Sequence, residues 1–149
     1  MKKIFIIGLI GLSGFATNSA FAQLRKIPVE VTNTLTEKFP NAANIEWTDQ
    51  LVDFKAAFDE NGKKYEAKFT NKGAWKLTVL QLSLDKLPNR VSLGLLKTEY
   101  AAWEIIGLAF IQSPKRNNMY KITVANNNIN KKELLFNPDG QLVKDSFTF

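Results

Sequence analysis

The strongest constraint on this chain is a pattern that occurs twice. Ile27-Pro28 opens one helical stretch and Leu87-Pro88 opens another. Short alternating segments follow each of them, and both series hold a strand ending in Phe before a Gly turn: Phe69-Thr-Asn-Lys-Gly73 and Phe136-Asn-Pro-Asp-Gly140. One such half, with one helix stripe and one sheet face, makes only a marginal core at about sixty residues. Two halves, over about 27–84 and 87–149, are therefore expected to share a core. The expected class is α+β: a tandem repeat of one helix plus about four antiparallel strands, with the helices packed on one face of the sheet. Ser83-Leu-Asp-Lys86 is too short to be a flexible linker, so residues 23–149 are expected to form a single domain. Two repeats are too few for a solenoid.

The local signals are explicit in the first half. Pro28 suits a first helical turn, where its missing N–H costs nothing. Val31, Leu35 and Phe39 form one apolar stripe, and Pro40 ends it because the residue before a proline avoids the α region. Ile45-Glu-Trp47 begins a strand, and Phe54, Ala56 and Phe58 alternate in the next. Asp59-Glu-Asn-Gly62 reads as a hairpin turn. Tyr65, Ala67 and Phe69 alternate in a third strand, and Trp75, Leu77 and Val79 in a fourth, with Lys76 and Thr78 on the opposite face. In the second half Val91 and Leu95 correspond to Val31 and Leu35, with Tyr100 near the place of Phe39. Trp103 to Ile111 reads as a buried strand, Gln112 to Asn118 as a polar loop, and Tyr120, Ile122 and Val124 as the next strand. Asn126-Asn-Asn128 reads as a turn, Leu142 takes the place of Trp75, and Phe147 and Phe149 complete a last strand.

The N-terminus gives an address. Lys2 and Lys3 precede an apolar run, Ile4 to Ala16, and Ala20-Phe21-Ala22 is a small-x-small cleavage site. This is the form of a secretory signal peptide over 1–22, cut after Ala22. Thr17, Asn18 and Ser19 interrupt the run short of a membrane span, so no stable anchor is expected after cleavage. The expected location is the periplasm or the medium. Loss of Lys2 and Lys3 with no acid lowers the net charge from +6 to +4. That is mild and dispersed, without the basic runs of a nucleic-acid binder.

Composition excludes much chemistry. The chain has no Cys, hence no disulfide, thiolate nucleophile or Cys-based metal site. It has no His, which removes the commonest general base and metal ligand. No catalytic, cofactor-binding or metal-ligating residue is assigned.

The run Val31…Phe39-Pro40…Trp47…Phe54…Phe58-Asp-Glu-Asn-Gly62…Tyr65…Phe69…Gly73-Ala-Trp75 resembles the PepSY-like, β-lactamase-inhibitor-like secreted proteins common in Bacteroidetes. The second run, Leu87-Pro88…Val91…Tyr120-Lys-Ile-Thr-Val124…Leu134-Leu-Phe136-Asn-Pro-Asp-Gly140, resembles them too. The resemblance implies a tandem helix-plus-sheet fold and export. It implies no particular activity, since fold does not fix function. Leu142 departs from the second G-x-W, and the disulfides of true β-lactamase-inhibitor proteins are absent.

Several constellations admit two readings. Trp47, Phe54, Phe58, Tyr65 and Trp75 form either an aromatic platform or a half-buried sheet face. Lys55, Lys64, Lys68, Lys76 and Lys121, with Glu66, Thr78 and Thr123, fall on the other face, which is either merely solvated or a cationic docking surface. Asp59, Asn61, Asn137 and Asp139 lack the spacing of a calcium loop and suit turns. Glu46, Asp49 and Asp53 are the carboxylates from which a hydrolytic pair could be drawn. The expected function is a non-enzymatic module that binds a protein or peptide, an acidic one fitting best, through Lys64, Lys68 and Lys76, with Tyr65 or Trp75 as anchors where exposed. A carboxylate-dependent envelope hydrolase and a small-ligand carrier are the alternatives.

Overall fold

The computed structural model describes residues 25–126 and 130–144. The signal segment, Asn127-Asn128 and the Phe147/Phe149 strand end lie outside the described residues. Helix α1 (Val29–Lys38) precedes strands β1 (Ala43–Asp49), β2 (Asp53–Glu60), β3 (Lys63–Thr70) and β4 (Trp75–Gln81). A 3-10 turn at Leu84–Lys86 leads into helix α2 (Asn89–Leu96), followed by β5 (Glu104–Ser113), β6 (Arg116–Ala125), β7 (Lys131–Phe136) and β8 (Leu142–Lys144). The strands form one antiparallel sheet in chain order, β1 through β8. Among the described residues its edges are β8 and β1, and the bulge in the pairing of β1 with β2 is a feature that discourages edge-to-edge pairing.

Each helix starts where its proline sits. Pro28 and Pro88 are extended cap residues whose carbonyls accept the first helical N–H groups, Val31 and Thr32 in one case, Val91 and Ser92 in the other. Val31 and Leu35 bury one face of α1 against Phe54, Ala56, Phe58, Ala67 and Phe69. Val91 and Leu95 bury α2 against Ile122, Val124, Leu134 and Phe136, with Tyr100 beside them. Strand register carries one row of side chains across the sheet beneath both helices: Phe58, Tyr65, Leu80, Phe110, Tyr120 and Phe136 face one another in turn. Phe58 stacks on Tyr65 with centroids 5.5 Å apart, and Phe110 lies 5.0 Å from Tyr120. Both helices therefore lie on the same side of the sheet.

The turns after β3 and β7 are built alike. Gly73 and Gly140 have φ of 80° and 83°, a region open to glycine at little cost. Their N–H groups donate to Thr70 and Asn137, whose own N–H groups donate to the carbonyls of Ala74 and Gln141. The side-chain oxygens of Thr70 and Asn137 accept from the same relative backbone positions, 72 and 74 against 139 and 141. A Cβ on Gly73 would fall 2.6 Å from the Glu30 carbonyl oxygen, and one on Gly140 2.0 Å from that of Arg90. Each turn is thus pressed against the first turn of its helix. The Asn61-Gly62 hairpin has positive φ at both residues, the requirement of a type I′ turn.

Three expectations need correction. First, β4 does not alternate evenly from Trp75. Register slips between Lys68 and Phe69, which face Leu77 and Trp75 respectively. This bulge sends Leu77 and Val79 to the face away from the helices. Thr78 turns inward to 2 % exposure, where its hydroxyl accepts the Trp75 indole N–H at 2.9 Å. Second, Gln112 to Asn118 is no loop: β5 and β6 pair up to Ser113 and Arg116, leaving only Pro114-Lys115 as the turn. Third, Trp103 precedes β5 and packs at the edge of the α2 core, while β5 itself is fully buried only at Ala109 and Ile111.

Candidate functional site

The face away from the helices is assembled by the same register. Ala57, Glu66, Val79, Ile111 and Met119 form one row across β2 to β6. Gln81, Ala109, Lys121, Leu135 and Lys144 form another across β4 to β8. Lys55, Lys68 and Leu77 form a third across β2 to β4. Among the described residues no helix lies on this face. Its centre is apolar, with Ala109, Ile111 and Leu135 buried and Leu77, Val79 and Met119 half-buried. The flank on the β2–β3 side is charged.

The charges on that flank are paired. Lys64 Nζ lies 3.5 Å from Asp59, Lys76 Nζ 2.6 Å from Asp53 and Lys55 Nζ 3.4 Å from Glu66; across the face, on β6 and β7, Lys121 Nζ lies 3.1 Å from Glu133. Lys55 and Lys68 are directly opposed, a repulsive arrangement that the Lys55–Glu66 pair offsets. Asp53, Asp59, Glu66 and Glu133 therefore balance Lys76, Lys64, Lys55 and Lys121, and the face is mixed in charge instead of broadly cationic. Pairs this exposed contribute little to stability, so their sequence cost is small and their placement is open to other uses.

The residues singled out in the sequence divide between the two sides. Lys64, Lys68 and Lys76 share the open face. Thr78 does not, for the reason given above. Tyr65 and Trp75 lie on the helix side, half-buried against the α1 core. Trp75 sits under Lys38, whose Nζ is 3.8 Å from the ring centroid. Trp47 packs there also, 6.2 Å from Phe69. The aromatic residues and the lysines thus belong to opposite surfaces. The placement of Leu77 and Val79 on this face was not foreseen, because the bulge that turns them there has no marker in the sequence.

The carboxylates are likewise separated. Asp49 faces the helix side opposite Phe54, while Asp53 and Glu46 belong to the open face. Asp49 accepts two hydrogen bonds from the Arg25 guanidinium, at 2.6 and 2.5 Å, which hold its carboxyl at about 2. Arg25 also covers the Phe54 ring at 4.8 Å. Asp49 is thus a structural anchor for the chain entering α1, firmly ionised and unsuited to proton transfer near neutral pH. Asp59 is held below the usual carboxylate range by the Asn44 amide and then by Lys64. Asn137 spends its side chain on its own turn and Asp139 pairs with Arg90 at 3.1 Å. Among the described residues no group of three or more acidic side chains is placed to hold a metal ion. A groove of about 700 Å³ beside α2 is open to the surface and not enclosed between helix and sheet.

No family model and no curated protein matches the chain. Solved structures do. A DUF2874-family protein from Bacteroides ovatus is 28% identical, with a TM-score of 0.74, over 80% of this chain and 86% of that one. A BLIP-like protein from Bacteroides fragilis is 22% identical, with a TM-score of 0.76, over 84% and 89%. A protein from Bacteroides eggerthii, provisionally described as periplasmic, is 24% identical, with a TM-score of 0.75, over 81% and 88%. The chain thus shares its fold with the DUF2874-family and BLIP-like proteins of Bacteroides, the group that its own FP, W, NG and G-x-W pattern resembles.

Proposed function

We propose that this chain is an exported, non-enzymatic module that binds a protein or peptide through the sheet face away from the helices. The observation that carries the reading is the one-sided layering: both helices cover one face, and the other presents the half-buried Leu77, Val79 and Met119 beside a flank of paired charges. A rigid sheet of this kind offers a preorganised surface, which lowers the entropy cost of association. Lys64, Lys68 and Lys76 supply the rim, where charges steer encounter and set register more than they add affinity. The partner that fits is apolar at its centre and charged at its margin. Export agrees with the signal-like segment at 1–22 and with the description of the Bacteroides eggerthii neighbour.

The scaffold is read as two repeats, about 27–84 and 87–149, within a single domain over 23–149. The matched element order, the matched caps at Pro28 and Pro88 and the matched turns at Gly73 and Gly140 support this.

The test is a pull-down from periplasmic extract with the mature chain and with K64E/K68E/K76E. The triple reversal is expected to lower recovery of specific partners by about tenfold, the scale of a rim-charge effect on association. Equal recovery of the same partners by both proteins contradicts the role given to these lysines.

A further inference from the structure

A positive φ suits few residues that carry a side chain, and Asn is foremost among them. Among the described residues three besides glycine adopt it: Asn44, Asn61 and Leu51, the last at 67°. Leu51 is the chemical exception. It stands at the tip of the β1–β2 hairpin, beyond the last pair, Asp49 and Phe54. Across it the Val52 N–H donates to the Gln50 carbonyl at 2.8 Å. A bond that spans a single residue of positive φ is the rare, strained form of the γ-turn.

Further bonds fix the tip in this form. The Gln50 N–H donates to the Asp53 carbonyl and the Leu51 N–H to Asp49 Oδ1, both at 2.9 Å. The strain brings no packing in return. Leu51 and Val52 are 83% and 71% exposed, the highest values among the large apolar residues described. Asn or Gly at 51 would relieve the backbone and be better solvated. A strained, exposed apolar tip is an outlier of the kind that points to a function.

The charges that bound the tip are neutralised within the chain. Arg25 holds Asp49 and Lys76 holds Asp53, and the two acidic side chains are only 13% and 14% exposed. The next charges at this end of the sheet are Lys26, beside Arg25, and Lys72 and Glu30, which meet where the Gly73 turn presses on α1. Their sum is a single positive charge. Two aliphatic side chains and one net charge fall short of what stable attachment to a lipid surface takes. A fluid bilayer also gains nothing from a fixed turn. A shaped cavity does, because side chains already held in place lose little freedom on binding.

We propose that Leu51 and Val52 form a rigid knob that inserts into an uncharged, apolar pocket of a partner protein. The Arg25–Asp49 and Lys76–Asp53 pairs brace the knob and keep its two acids from opposing that insertion. The knob lies at the end of the sheet, so this contact is separate from the open sheet face and does not depend on it.

The test begins with a benzophenone side chain at position 51 of the mature protein, illuminated in periplasmic extract. The adduct is located by mass spectrometry, and the partner it identifies is purified. The cross-link is expected inside an apolar pocket of that partner. L51N and V52N should each weaken binding of the purified partner by about tenfold. L51N should at the same time raise the folding constant of the chain by about threefold, because Asn tolerates the positive φ. Weaker binding from a more stable protein is a combination that a merely structural role does not produce. Equimolar phosphatidylethanolamine–phosphatidylglycerol vesicles, and sedimentation of the chain alone, examine a membrane and a second copy as occupants. The proposal is overturned by the absence of an adduct, by a cross-link on a charged or flat surface, or by undiminished affinity of either variant. A destabilised L51N, or vesicle binding or self-association that L51N abolishes, overturns it too.

Discussion

Gly94→Ala is expected to destabilise the protein by about 3 kcal/mol, against a helix propensity that favours Ala by about 1 kcal/mol. Gly94 lies within α2, and a Cβ there would fall 1.9 Å from the Gly140 carbonyl oxygen and 2.8 Å from its carbon. Both obstructing atoms are backbone, so no rotamer change relieves the clash. The helix would have to lift from the turn, and with it Val91 and Leu95 from the core they fill. Helix α1 meets the Gly73 turn through a side chain instead: the Thr34 hydroxyl donates to the Gly73 carbonyl at 2.8 Å. Gly62→Ala is the control, since its φ is +72° but its Cβ would meet nothing within 4 Å; it should cost about 1 kcal/mol from conformation alone. Urea unfolding of the two variants decides the matter. A stabilised Gly94→Ala would mean that α2 does not approach the turn this closely.

Phe136→Ala is expected to cost about 4 kcal/mol and to lower stability across the whole sheet in one transition. Phe136 is fully buried among Val91, Leu95, Ile122 and Leu134. It also ends the row that runs through Tyr120, Phe110 and Leu80 to Tyr65 and Phe58 beneath α1. The halves meet through β4 and β5, where Leu80 faces Phe110 and Val79 faces Ile111. A row of this continuity couples the two cores, so damage in the second should be felt in the first. Amide exchange resolves this: protection at Phe54 and Phe69 should fall along with that at Ile122. Undiminished protection at Phe54 and Phe69 would show that the cores unfold separately.

Much of this architecture was legible because its signals are local. The prolines at 28 and 88, the stripes Val31/Leu35 and Val91/Leu95, and the Asn61-Gly62 turn each depend on a few adjacent residues, and each lies where the pattern put it. The bulge in β4 was not legible. Trp75, Leu77 and Val79 alternate without a break, and only the pairing of Phe69 with Trp75 shows that two residues share one step. The polar stretch Gln112 to Asn118 misled for a different reason: a hairpin tip is exposed on both faces, so its strand residues need no apolar partner. Lys64, Lys68 and Lys76 do share a surface, as alternation implied. The pairing of Lys64 with Asp59 on the adjacent strand, and of Lys76 with Asp53 across β3, required the register. The groove beside α2 was visible in the sequence only as Leu142 standing where Trp75 stands in the first half.

The claim at the centre of this account is that the sheet face away from the helices is the main partner-binding surface. Site-specific photo-cross-linking tests it directly. A benzophenone side chain placed at position 79, in the apolar row, should yield discrete adducts when the protein is illuminated in periplasmic extract. The same group at position 36, on the exposed outer side of α1, should yield none. Adducts from position 36 with none from position 79 would contradict the account.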